Sequence, residues 1–252
     1  MNTRDSVDEA WALVGEGLSH ALRGRSEEAV ACFERSLAIE GTDAEIKTMA
    51  LESMGIALRH LGRLAEAIEC FDRAIAMEGV PDEEKAGAFL NKGVTLAQLE
   101  RHEDALRCFD RLVATQGASG DERASAWTKM GASLAALGRS HEAIEYFDRV
   151  VAMKEATDEE KAEALLSKAE HLRQLQRRRD EIECYDQVIA MEVELTEEKA
   201  CALINKGAAV AGLGRTHDAI ECYERALALP GVPPETRHAA EEARAELLEQ
   251  NN

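Results

Sequence analysis

Long apolar runs are absent from this sequence of 252 residues, and aromatic residues make up only 4% of it. No stretch approaches the roughly 20 apolar residues that a membrane-spanning helix requires. The N-terminal segment MNTRDSVDEAW also lacks the apolar centre of a secretory signal. These absences predict a protein without membrane association. With so few aromatic rings, its core must be built mainly from Ala, Leu, Ile and Met.

Positive charge is also scarce. The chain carries 30 Lys and Arg against 49 Asp and Glu, which gives a formal net charge of −19. A surface this acidic repels the phosphates of nucleic acids and anionic lipids, so we expect neither as a partner. It suits a basic protein or peptide, although an evenly solvated surface would have the same composition.

Catalytic motifs are missing as well. The sequence contains no GxSxG, no phosphate-binding glycine-rich loop, no HExxH and no CxxC. Catalysis needs one asymmetric site, and a residue that recurs in every copy of a repeat is a poor candidate for it. We therefore predict that the protein is not an enzyme and that it has no cofactor or metal ion.

A repeat of 38 residues organises nearly the whole chain. Its marker is a glycine that recurs without insertion or deletion, and Ala169 takes its place in the fifth of six copies. The glycines are Gly17, Gly55, Gly93, Gly131 and Gly207. A fixed period of this length indicates stacked helical or strand repeats, each of which contacts its neighbours.

Each copy contains two segments with helical periodicity. In the third copy, Ala105, Cys108, Phe109 and Leu112 follow i, i+3, i+4, i+7 spacing, as in an amphipathic helix. The segments are separated by a short turn that commonly contains glycine, as in Leu61-Gly62-Arg63. Each copy is thus predicted to be a hairpin of a helix A and a helix B.

Close packing of the two helices explains the recurring glycine. We expect the glycine of helix A to let it approach helix B closely, and an aromatic ring on helix B to fill the wedge between hairpins. The rings are Phe33, Phe71, Phe109, Phe147, Tyr185 and Tyr223. An acid–arginine pair recurs on helix B, as in Asp72-Arg73, and an arginine recurs at the turn, from Arg25 to Arg215. Both are expected to form ion-pair ladders between repeats.

Five of the six cysteines occupy one repeat position, where they should act as small core residues. They are Cys32, Cys70, Cys108, Cys184 and Cys222, and Cys201 lies outside the pattern. Neighbouring copies should be ~8–10 Å apart, too far for a disulfide. Reduced cysteines favour a cytoplasmic location.

The pattern resembles the tetratricopeptide repeat family, in which a large residue, Gly, a large residue, Ala, an aromatic and Ala recur at fixed offsets. The resemblance implies an all-α fold, an α-solenoid with a right-handed superhelix. We place six repeats in residues 6–232 and a C-terminal capping helix in 233–250. Each copy has about four more residues than the family's usual repeat of about 34, which we assign to an extra turn at the start of helix A.

The resemblance also implies a concave groove lined by the A helices, in which a peptide or partner helix would bind. The candidate residues share offsets of −6 to +4 from the repeat glycine. They are Met49, Glu52, Ser53, Ile56, Arg59, Leu90, Asn91, Val94, Thr128, Lys129, Leu166, Glu170, Arg173, Ile204 and Asn205.

The predicted function is therefore that of a protein–protein interaction module, as a monomer or weak homo-oligomer. A self-assembling structural scaffold and a peptide-sensing regulatory protein are the alternatives. The fifth copy is irregular, with Ala169 and Glu181 in small-residue positions and Arg177, Arg178 and Arg179 at its turn. Glu181 must therefore either reach solvent or find a cation, because burying an unpaired charge is costly. The irregularity indicates either sequence drift or a functional feature, namely a local hinge or a polar contact point.

Overall fold

The computed structural model describes residues 3–250, and side chains within residues 6–249. Its described residues form thirteen α-helices and one short 3₁₀ segment. The helices are α1 (Thr3–Leu22), α2 (Ser26–Leu37), α3 (Ala44–His60), α4 (Leu64–Ile75), α5 (Ala86–Gln98), α6 (His102–Ala114), α7 (Gly120–Ala136), α8 (Ser140–Ala152), α9 (Asp158–Gln174), α10 (Arg178–Ala190), α11 (Thr196–Ala211), α12 (Thr216–Ala228) and α13 (Pro234–Gln250). The predicted all-α solenoid class is confirmed.

Odd-numbered helices α1 to α11 are the predicted A helices, and even-numbered helices are the B helices. The B helices begin 38 residues apart, from Ser26 to Thr216. Helices α3, α7 and α9 have 17 residues, whereas α2 and α4 have 12. In the third copy the added turn is the 3₁₀ segment Asp82–Lys85. The extra residues of each copy are therefore largely helical, as expected.

The described residues divide into two compact units, one that ends at Ser133 and one that begins at Leu134. In the first unit each helix from α1 to α5 contacts the next one along the chain, and α3 also contacts α1 and α5. In the second unit the same holds from α8 to α12, and α11 also contacts α9 and α13. Contacts between elements near in sequence are typical of a solenoid. The boundaries 6–232 and 233–250 remain a prediction.

The repeat glycine does bring helix A against the aromatic ring of helix B. A Cβ atom built on Gly17 would lie 2.6 Å from Cε1 of Phe33, and one on Gly207 would lie 2.6 Å from Cε1 of Tyr223. The Phe33 ring is fully buried, so it has no free space to move into. Glycine is needed here for the close approach of helices A and B, and that prediction is confirmed. The contact of the glycine with the ring of its own hairpin is an addition from the structure.

The predicted ladder between repeats is wrong for the turn arginines from Arg63 to Arg215. Arg63, for example, lies at the start of α4 and donates to Glu66 within the same first turn, at 2.7 Å from Nε. The later turn arginines make the same i, i+3 pair. The recurring aspartate of helix B forms ion pairs between successive copies instead, with a lysine of the next helix A, as in Lys92–Asp72 and Lys168–Asp148. Acidic residues in the first helical turn suit the helix dipole. Each of these arginines, at the start of its helix, pairs with one of those acids.

All six cysteines are unpaired. Within the described residues no helix combines the length and apolar character that a membrane crossing would need.

Candidate functional site

The A helices of the first unit bring several predicted groove residues onto one surface, which we call the A-helix face. Positions four and seven residues apart on a helix share a side, so Glu52 and Arg59 of α3 point the same way. Helix α5 contacts α3 and places Asn91 beside them.

Asn91 connects these two charged side chains. Its Nδ2 donates to Oε1 of Glu52 at 3.2 Å and to the carbonyl oxygen of Gly87 at 2.9 Å. Its Oδ1 accepts from Nη2 of Arg59 at 3.4 Å. Since both ends of the amide are engaged within the protein, Asn91 positions Glu52 rather than offering a free amide to a peptide backbone.

The Glu52 carboxylate is partly withdrawn from water. It occupies the space that a side chain at Gly87 would fill, because a Cβ atom there would overlap Oε1. Burial raises the pKa of Glu52, the Asn91 hydrogen bond opposes that rise, and the charge of Glu122 adds to it. A cation beside the Glu52 carboxylate would therefore offset the cost of burying its negative charge.

Glu52 forms part of the wall of an open cleft of about 320 Å³, which we call the acidic cleft. Its lining contains three carboxylates, two large apolar side chains and one threonine, and no basic residue. The residues are Trp11, Glu45, Thr48, Met49, Glu52 and Glu84. Trp11 is 45% exposed and Met49 is 40% exposed. A cation with an apolar stem matches this combination of side chains.

The sequence predicted Met49 and Glu52 as groove residues but not the other four residues of this cleft, Trp11, Glu45, Thr48 and Glu84. A signal for Trp11 was available, because it lies six residues before Gly17, as Met49 lies six before Gly55. Glu84 lies in the 3₁₀ segment that the extra residues of the third copy form, a feature specific to that copy.

Thr128 is not a groove residue, contrary to the prediction. It is 6% exposed, and its hydroxyl donates to the carbonyl oxygen of Ala124 at 3.0 Å. Its neighbour Lys129 is half-buried and lines a second cleft of about 320 Å³ together with Val94. The remaining candidates in this unit, Ser53, Ile56 and Leu90, are half-buried.

The second unit contains a separate polar cluster built around the irregular fifth copy. Arg173 binds Glu170 through two hydrogen bonds of 2.5 and 2.9 Å. Asn205 is exposed beside them, and all three line a cleft of about 300 Å³. The predicted residues Leu166 and Ile204 pack against apolar core clusters instead.

Glu181 also belongs to this cluster, and it finds the cation that its position requires. It is 1% exposed, and its Oε2 accepts from Nη1 of Arg178 at 3.0 Å. Burial raises the pKa of Glu181, and the charge of Arg178 opposes the rise. Arg177 pairs with Asp180 in the same turn, and Arg179 is exposed.

Comparison with solved structures shows similarity to helical-repeat proteins across most of the chain. PilF of Pseudomonas aeruginosa has 17% identity and a TM-score of 0.67, with 98% of this chain and 100% of that one covered. PilW, a type IV pilus biogenesis factor, has 18% identity and a TM-score of 0.68 over 91% of this chain and 97% of that one. MamA of Desulfovibrio magneticus RS-1 has 22% identity and a TM-score of 0.59 over 73% and 96%. At these identities the likeness concerns the fold.

No curated protein sequence gave a significant match. Models of the tetratricopeptide repeat family match the sequence itself, one at residues 45–116 and 84–156 and another at 128–192. These matches together extend over more than half of the chain. The predicted family is therefore confirmed, with a fold that supports a protein–protein interaction or scaffold role: this chain belongs to the tetratricopeptide repeat family.

Proposed function

We propose that this protein is a non-catalytic interaction module whose acidic cleft receives a basic side chain of a peptide or partner helix. The observation that carries the proposal is the Glu52 carboxylate, which is held by Asn91 over Gly87 with no cation among the residues of the cleft. A lysine or arginine of the partner would supply that cation.

The apolar lining fits the rest of such a side chain. The stems of lysine and arginine are aliphatic and pack on apolar surfaces while the charged end reaches a polar group. Trp11 and Met49 offer such a surface, and a cation over the Trp11 ring would gain about 0.5–1 kcal/mol at an exposed site. The net charge of −19 would also accelerate the encounter with a basic partner.

A random peptide array tests this proposal directly. We expect the 12-residue peptides retained by the wild-type protein to be enriched in Lys and Arg, and the enrichment to disappear with Glu52→Gln. Glu9→Gln is the matched control, because Glu9 is an exposed acid of α1 outside the cleft lining. Equal enrichment for Glu52→Gln and wild type, or no basic enrichment for the wild type, would refute the proposal.

Self-assembly is the second candidate, and exposed leucines favour it. Leu22, at the end of α1, is 89% exposed, and Leu18 is 40% exposed. Apolar side chains on one helix end can join two copies. Light scattering of wild type and Leu22→Ser across a concentration series decides this point: a concentration-dependent mass that Leu22→Ser abolishes supports a scaffold, whereas a monomer throughout excludes it.

We also propose a cytoplasmic location and no nucleic-acid partner. Five of the unpaired cysteines are buried core residues, which suits a reducing compartment. Cell fractionation and a gel-shift assay at low salt test these two statements.

A further inference from the structure

The first hairpin differs from every other copy at two positions on α1. His20 lies three residues after the repeat glycine, where the other copies have aliphatic residues that are 2% exposed or less. Those residues are Leu58, Leu96, Leu134, Leu172 and Val210. Glu16 lies one residue before the glycine, where the other copies have Met or Lys. The packing of the repeat does not require these two residues, so another role must be sought for them.

These two residues meet a cysteine of α2. Glu16, His20 and Cys32 each place a potential ligand atom so that all three lie within 4.8 Å of one another. The Nε2 atom of His20 is 3.8 Å from Oε1 of Glu16. Between residues 6 and 249, no other group of three such side chains is this close.

The hairpin itself produces this convergence. Glu16 and His20 are four residues apart and share one side of α1. The contact between Gly17 and the Phe33 ring draws α2 close, so that Cys32, the residue before Phe33, lies against that side. Nδ1 of His20 is buried and makes no hydrogen bond with the protein. Cys32 is buried, His20 is half-buried and Glu16 is exposed, so an ion could enter from the solvent side.

We propose that Glu16, His20 and Cys32 bind a zinc ion, with water in the fourth position. Zinc accepts thiolate, imidazole and carboxylate ligands in tetrahedral geometry at about 2.0–2.3 Å, which places ligand atoms roughly 3.5 Å apart. The separation of Glu16 and His20 is already close to that value. The thiolate selects against magnesium and calcium, which prefer oxygen. On binding, the Cys32 thiol gives its proton to solvent, and the sulfur–zinc bond replaces the sulfur–hydrogen bond.

The expected consequence is a more stable first hairpin. Helix α1 contacts both α2 and α3. A zinc ion that joins α1 to α2 would hold these two helices together, because binding to the folded state alone adds to stability.

Cobalt substitution tests the site on the full chain without a histidine tag. After chelator treatment, we expect one equivalent of Co²⁺ to give a thiolate-to-cobalt charge-transfer band that Zn²⁺ abolishes, and Zn²⁺ to raise the melting temperature. His20→Leu, which installs the residue of the other copies, should preserve the helical circular dichroism spectrum. It should lower Zn²⁺ affinity at least tenfold, since loss of an outer partner alone costs 10–100-fold.

Cys70→Ala is the matched control, because Cys70 is the equivalent buried cysteine of the second copy. It should keep the cobalt band, whereas Cys32→Ala should lose it. Absence of the band in the wild type, its loss in Cys70→Ala, or unchanged zinc affinity in folded His20→Leu would each overturn the proposal.

Discussion

Two glycines of α1 allow the steric role of the repeat glycine to be measured within a single helix. Gly15 has no atom within 4 Å of where a Cβ would lie, whereas a Cβ on Gly17 would lie 2.6 Å from the Phe33 ring. Ordinary carbon–carbon contacts are about 3.5–4.0 Å, so Gly17→Ala requires a displacement of about 1 Å. Phe33 is fully buried, and the two helices must separate to provide it.

Both substitutions replace glycine by alanine within a helix, and the higher helix propensity of alanine contributes the same amount to the stability of each variant, about 1 kcal/mol. We expect Gly15→Ala to raise the free energy of unfolding by about 0.5–1 kcal/mol. The overpacking at Gly17 should cost about 1–3 kcal/mol, and this cost is the expected difference between the two variants. Urea unfolding followed by circular dichroism, together with amide hydrogen exchange in α1, measures that difference.

A double substitution provides the control. If the ring causes the penalty, Gly17→Ala should cost less in a Phe33→Leu background, because the colliding atoms are gone. Equal stability of Gly15→Ala and Gly17→Ala, or a penalty that Phe33→Leu leaves unchanged, would refute the reasoning.

Further predictions concern charge and turn geometry. Burial raises the pKa of Glu52, so the charged carboxylate costs stability and Glu52→Gln should be more stable than wild type at neutral pH. The difference in stability should disappear below about pH 4, where Glu52 is protonated in both the folded and the unfolded state. Thermal unfolding of both proteins across pH measures this difference. Glu181→Ala should leave stability unchanged or raise it by about 1 kcal/mol, since its partner Arg178 is 36% exposed and can turn to solvent; a large loss in urea unfolding would contradict this. Glu100 has a φ of 59° at the turn position that Gly62 occupies in the second copy. Glu100→Gly should therefore raise the free energy of unfolding by about 1 kcal/mol in the same assay, because glycine adopts this left-handed conformation without strain.

The sequence alone determined the hairpin architecture. The spacing of glycines and apolar residues predicted the helix pairs and the close approach of α1 and α2 at Gly17, because these depend on interactions within one copy. It also predicted that Glu181 must either reach solvent or find a cation, since the cost of an unpaired buried charge is general.

Only the tertiary structure decided which side chains meet between helices. Thr128 shares its offset with Glu52, yet Thr128 is buried and bonded to its own helix, while Glu52 reaches a cleft that Gly87 leaves open. The position of a residue in the repeat determines which side of its helix the side chain leaves from. It does not determine how deeply that side chain is buried or which groups of the neighbouring helix it contacts. For the same reason, no sequence motif predicts that His20 lies close to Cys32. Their proximity arises from the close packing of α1 on α2.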